Sequence, residues 1–156
     1  MLEIVITPPS FSSAVETMPD PRIRGIKPFE TRNPEGNRTI GYHLSVNYEN
    51  GVVYPLSVIY YVDKDRLEIV HVPSTGLLPN FPDEETVSLE LWCRDALRVY
   101  DPDAHLYFLK NGVGQLSFTL QWYYLKNHTA YELEGWISDV MNFLPSLAAK
   151  INEFEE

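Results

Sequence analysis

From Ile40 to Tyr48 every second residue is apolar: Ile40, Tyr42, Leu44, Val46 and Tyr48 are separated by Gly41, His43, Ser45 and Asn47. A repeat of two puts these side chains on one face of a strand, and no helix gathers them on one side. Glu49-Asn50-Gly51 follows. Asn and Gly both accept positive φ, so the chain is expected to reverse there into a hairpin. Val52 to Val62 is the return strand, and Pro55 marks an edge or bulge because it cannot donate to a ladder. Asp63-Lys64-Asp65-Arg66 turns the chain again into Leu67 to Val72, which completes a three-stranded meander.

Beyond the loop at Pro73 to Pro82, Asp83 is placed to cap a helix, with Glu84 and Glu85 in its first turn near the positive dipole end. Leu89, Trp92, Cys93, Ala96, Val99 and Tyr100 share one face at helical spacing, and Asp101-Pro102 ends the run. A second hairpin, His105 to Leu109 and Gln115 to Leu125, turns through Asn111-Gly112. Thr129-Ala130-Tyr131-Glu132 is a capping box for a long helix whose stripe is Leu133, Trp136, Ile137, Val140, Leu144, Leu147 and Ile151. Pro145 leaves the carbonyl of Met141 without its helical donor, so a kink or split is predicted there. The expected fold class is α+β: an antiparallel sheet, three-stranded meander plus hairpin, packed against two helices of which the C-terminal one is long.

Residues 7–39 contain Pro8, Pro9, Pro19, Pro21, Pro28 and Pro34. Long regular structure is not expected there, beyond a short helical turn across Ser12 to Met18, with a strand from Leu2 to Ile6. Ile23, Ile26 and Phe29 would hold the segment against the rest. The organisation read from the sequence is a Pro-rich segment, 1–39, packed on a core domain, 40–156.

A chain of 156 residues buries enough surface to fold without disulfide or metal. Its net charge of −10 repels phosphate backbones and anionic membranes, which argues against nucleic acid and membrane as partners. The lone Cys93, in an apolar helical pattern, excludes an intrachain disulfide and a multi-cysteine zinc site. Met1-Leu2-Glu3-Ile4-Val5-Ile6 has no basic start, and no stretch reaches the roughly 18 apolar residues of a membrane span. A cytoplasmic protein is expected, in which the sequons at Asn37 and Asn127 stay unmodified.

No nucleophile elbow, zincin, phosphate-loop or kinase motif occurs. Gly112-Val113-Gly114 fits a hairpin turn rather than a dinucleotide site, and Pro73-Ser74-Thr75-Gly76 fits a plain connection. Asp63-Lys64-Asp65 and Asp101-Pro102-Asp103 lack the further ligands of a calcium loop and fit turns. No catalytic residue, cofactor or metal is therefore expected. Of the four histidines, His43, His71 and His105 fall on strands and His128 precedes a helix. His43 or His71 with Asp63 would make a small-molecule or enzymatic site if the meander brought them together.

Gln121-Trp122-Tyr123-Tyr124-Leu125 closes the second hairpin, and Tyr54, Tyr60 and Tyr61 lie on the meander. Successive strand residues point to opposite faces, so one face presents aromatics outside the core unless the N-terminal segment covers them. Trp122, Tyr123, Tyr124, Tyr54 and Tyr61 are the candidate partner-binding residues, since aromatics give large contact area at low rotamer cost.

The order meander, helix, hairpin, long helix over residues 40–152 resembles the type III secretion chaperones and the related YbjN-like proteins. Gly114-Gln115-Leu116-Ser117-Phe118-Thr119-Leu120 and the helix capped at Thr129, with Leu133, Ile137 and Val140, carry the resemblance. It implies a non-enzymatic protein-binding module, often a homodimer, that takes an extended segment over apolar patches or at a sheet edge. The alternatives are the His/Asp site and an acidic immunity-type inhibitor of a basic toxic enzyme.

Overall fold

The structure is a computed structural model that describes residues 4–72, 83–99, 101–110 and 116–154. It contains an antiparallel six-stranded sheet and three helices, the last one long, as an α+β fold. The strands are β1 (Ile23–Arg32), β2 (Arg38–Asn47), β3 (Val53–Tyr61), β4 (Arg66–His71), β5 (Ala104–Lys110) and β6 (Leu116–Tyr123). Their order across the sheet is β1-β2-β3-β4-β6-β5. The helices are α1 (Pro8–Glu16), α2 (Asp83–Leu97) and α3 (Ala130–Phe154).

The meander and hairpin form as expected, and the Asn50-Gly51 turn has Gly51 at φ 83°. The Asn111-Gly112 turn and the Gly112-Val113-Gly114 reading lie outside the described residues, as do Pro73 to Pro82 and Leu2. α2 starts at Asp83 itself, one residue earlier than a cap at that position requires.

The N-terminal segment corrects the expectation of little regular structure: it supplies a nine-residue helix and a ten-residue strand. Each proline sits where its missing N–H costs little. Pro8 and Pro9 begin α1, where the first amides have no helical acceptor, behind a reciprocal Thr7–Ser10 capping box. Pro19 and Pro21 fall between elements, Pro34 lies in the β1–β2 turn, and Pro28 is on β1, an edge strand. Ahead of α1, Val5 bridges Thr129 and Ile6 N–H donates to His128 O, which ties the chain's beginning to the start of α3.

All three helices pack on one face of the sheet. That face carries Tyr42, Leu44 and Val46 from β2, Leu56, Val58 and Tyr60 from β3, Leu67 and Ile69 from β4, and Phe118, Leu120 and Trp122 from β6, all buried. Phe11 of α1 packs on Tyr42 and Tyr60 with ring centroids 5.8 and 5.4 Å apart. Trp92 of α2, Phe143 of α3 and Phe118 of β6 form a connected aromatic series. Cys93 is fully buried here, and burial pushes its thiol up to about 12, so it packs as a small hydrophobe.

α3 continues through Pro145 as one helix, so the split that this proline could have caused does not occur. The reason lies on another element: the Tyr48 hydroxyl donates to Met141 O at 2.5 Å, the carbonyl that Pro145 leaves without an amide. Among the described residues, no helix is long and apolar enough to cross a membrane.

Candidate functional site

The sheet's second face carries no helix among the described residues. Cross-strand register sets what it displays. Tyr61, Arg66 and Tyr123 lie in one row across β3, β4 and β6. Ile59, Glu68, Gln121 and His105 make the next row, and Val70, Thr119 and Tyr107 the one after. Long aromatic side chains thus flank a polar centre on the middle strands, where cross-strand neighbours stand about 4.5–5.5 Å apart at Cβ.

That centre is bonded together. Gln121 Nε2 donates to Glu68 Oε2 at 2.6 Å, and the Tyr61 hydroxyl donates to Glu68 Oε1 at 3.1 Å. Arg66 Nε stands 3.6 Å from Glu68 Oε2, while its guanidinium lies 4.4 Å from the Tyr61 ring centroid. Glu68 and Gln121 are buried, at 9% and 5% exposure. Arg66 Nε is buried and makes no hydrogen bond.

Burial, then the Glu68 charge, raises the phenols of Tyr61 and Tyr107, the latter to about 12. Both stay neutral and available as hydrogen-bonding groups at physiological pH. The face offers aromatic area, a fixed cation and a fixed carboxylate.

Tyr61 and Tyr123 fall together on this face. Tyr124 follows where β6 ends, in the left-handed region at φ 55°, 64% exposed, its ring 6.4 Å from that of Tyr123. Trp122 does not join them. It is 4% exposed on the helix-covered face and stacks on Trp136 of α3 with centroids 4.2 Å apart and planes at 10°, which corrects its expected exposure. Tyr54 is also on the helix-covered side, edge-on to Tyr48 and His71. Sequence reasoning missed Tyr107, Arg66, Glu68, Gln121 and His105. The parity of Leu106-Tyr107-Phe108 signals Tyr107, but the pairing of β4 with β6 leaves no local signal.

His43 and His71 do not meet. His43 lies on the open face, hydrogen-bonded to Ser57 and stacked on Phe29. His71 is buried on the opposite face against Pro55 O, and burial lowers its pKa. Asp63 instead accepts from the backbone N–H of Arg38.

Phe29 also lies across Gly41, where an added Cβ would stand 2.4 Å from Phe29 Cζ and 2.8 Å from Val58 O. The ring can swing aside; the carbonyl cannot. Gly41→Ala should therefore cost about 1–2 kcal/mol, an overpacking penalty of roughly 1–3 reduced by the lower entropy of the unfolded chain. A urea midpoint unchanged from wild type would mean that β2 shifts without cost.

A second cluster forms where β5 begins and α3 starts. His128, 7% exposed, has Nδ1 2.9 Å from Glu132 Oε2 and Nε2 3.0 Å from Asp103 Oδ2. Carboxylates only accept, so both ring nitrogens donate here. Burial, the largest influence, lowers the His128 pKa, but the bonds to Glu132 and Asp103 and the charges of Glu132 and Asp101 outweigh it and raise it overall. Glu132 Oε1 accepts from Thr129 N–H and Thr129 Oγ1 from Glu132 N–H, the capping box expected from the sequence. Asp101 Oδ1 accepts from Asp103 N–H, so Asp101-Pro102-Asp103 does form a turn. The turn also brings ligand atoms of Asp101, Asp103 and His128 within 4.8 Å of one another.

No family model, no curated protein and no solved structure matches this chain.

Proposed function

We propose that the protein is a non-catalytic binding module, of the chaperone or adaptor kind, that docks a protein partner on the uncovered face of its sheet. The observation that carries this is a face, free of helices among the described residues, on which Tyr61, Tyr107 and Tyr123 surround a bonded Arg66–Glu68–Gln121 centre. Tyrosine and arginine dominate binding energy at protein interfaces, because rigid amphipathic groups lose little entropy on contact. The buried polar centre adds direction, since a misaligned partner leaves those groups unpaired. A net charge of −10 favours a partner with a basic rim, drawn in by long-range attraction. The resemblance of residues 40–152 to secretion chaperones and YbjN-like proteins points to the same class, and to a cytoplasmic setting.

The test pairs capture with folding. Tagged wild-type protein and a Tyr61→Ala/Tyr123→Ala variant are passed through lysate of the native host, and co-eluting protein is quantified at low and high salt. Both chains are also melted thermally. A stoichiometric partner held by wild type, and reduced about tenfold or more by the variant at nearly unchanged melting temperature, supports the reading; hot-spot truncations of 2 kcal/mol or more have that size. Equal capture by both chains overturns it, as does a variant whose folding falls as far as its binding. Capture only of a second copy of the chain would make the face a homodimer interface instead.

A further inference from the structure

We propose that His128, Asp101 and Asp103 form a binding site for one divalent transition-metal ion, such as zinc or manganese. Imidazole suits zinc and carboxylates suit manganese, so one nitrogen and two oxygens make a mixed donor set that either ion accepts. The site goes beyond partner binding on the open sheet face, which it does not touch.

The geometry is close to what coordination needs. Metal–ligand bonds to histidine and aspartate are about 2.0–2.2 Å, so two ligands at right angles stand roughly 3 Å apart. His128 Nε2 and Asp103 Oδ2 are 3.0 Å apart, and Asp101 offers a third ligand atom within 4.8 Å of both; the ion takes the place of the Nε2 proton, which is released to solvent. The imidazole is already aimed. Its Nδ1 is held by Glu132, the carboxylate–histidine arrangement that fixes ring orientation in metal sites. Glu132 is itself locked by the Thr129 cap, and Trp136 meets the His128 ring edge-on at 5.2 Å. Asp101, though not His128 or Asp103, also lines a cleft of about 210 Å³ with Arg98, Trp122, Trp136 and Asp139, so a water or small ligand would reach the ion from the Asp101 side. Three protein ligands and an accessible fourth position is the pattern of a site that exchanges ligands, whereas structural sites are closed.

The experiment uses the whole chain, stripped with chelator and titrated with zinc or manganese chloride in a calorimeter, alongside Asp101→Asn. Asparagine keeps the oxygen that accepts from Asp103 N–H, so the turn is retained while one charged ligand is lost. The expected result is one ion per wild-type chain, a higher melting temperature with metal, and at least about tenfold weaker binding in Asp101→Asn. Glu132→Gln, which keeps the capping box, should weaken binding about 10–100-fold through orientation of His128. No saturable binding of either ion, or equal affinity in wild type and Asp101→Asn, would overturn the proposal and leave the cluster as a clamp between β5 and α3.

Discussion

Trp122→Ala should lower the free energy of unfolding by about 3–5 kcal/mol, the range for deleting a buried aromatic side chain. Trp122 is 4% exposed, stacked on Trp136, and lies between Leu67 of β4 and Ala104 of β5. Removing it opens a void between sheet and α3, and strips Trp136 of the partner that positions it against His128. Tyr123, its neighbour in sequence, points to the other face, and Tyr123→Ala should fall nearer the 1 kcal/mol typical of partly exposed sites. Urea unfolding of the two variants measures both. If Trp122→Ala costs no more than Tyr123→Ala, the indole stack is not holding α3 to the sheet. The contrast also separates stability from partner binding, since only Tyr123 is proposed to touch a partner.

Tyr48→Phe should cost about 1–3 kcal/mol, the penalty for leaving a buried acceptor without its donor. Phenylalanine keeps the ring against Tyr54 and Arg22, so the lost hydroxyl bond to Met141 O is the main change. Burial of that hydroxyl raises its pKa to about 12, so it remains a donor across the physiological range. A proline inside a helix costs about 3 kcal/mol, part of which is the orphaned carbonyl. Pro145→Ala restores an amide at that position, and in its background Tyr48→Phe should cost at least about 1 kcal/mol less than in wild type, a coupling of the size found between groups in contact. A double-mutant cycle by chemical denaturation reads the coupling, and strictly additive effects would show that Tyr48 does not serve that carbonyl.

Much of the fold was legible because its signals are local. The alternation from Ile40 to Tyr48, the Asn50-Gly51 turn, the Thr129–Glu132 box and the stripe along α3 each need only a few neighbouring residues. The N-terminal segment was misread because proline was taken as a general breaker. Its effect depends on which amide is lost, and at a helix start or on an edge strand that amide has no obligatory partner. Of the candidate face, Tyr61 and Tyr123 were legible from aromatic content and parity. Trp122 was misplaced because parity says which residues share a face but not which face the helices cover.

The sequence by itself determined the strands, helices, turns and caps from residue 40 onward, and with them the α+β class. Only tertiary structure decided that β4 pairs with β6, and so that Arg66 and Glu68 stand beside Gln121 and Tyr123. It also decided that Tyr48 reaches Met141 and that His128 meets Asp101 and Asp103. The physical reason is range. Local structure follows from steric and hydrogen-bond preferences of adjacent residues, whereas the site's chemistry joins groups that only the packing of the whole sheet and α3 brings into contact.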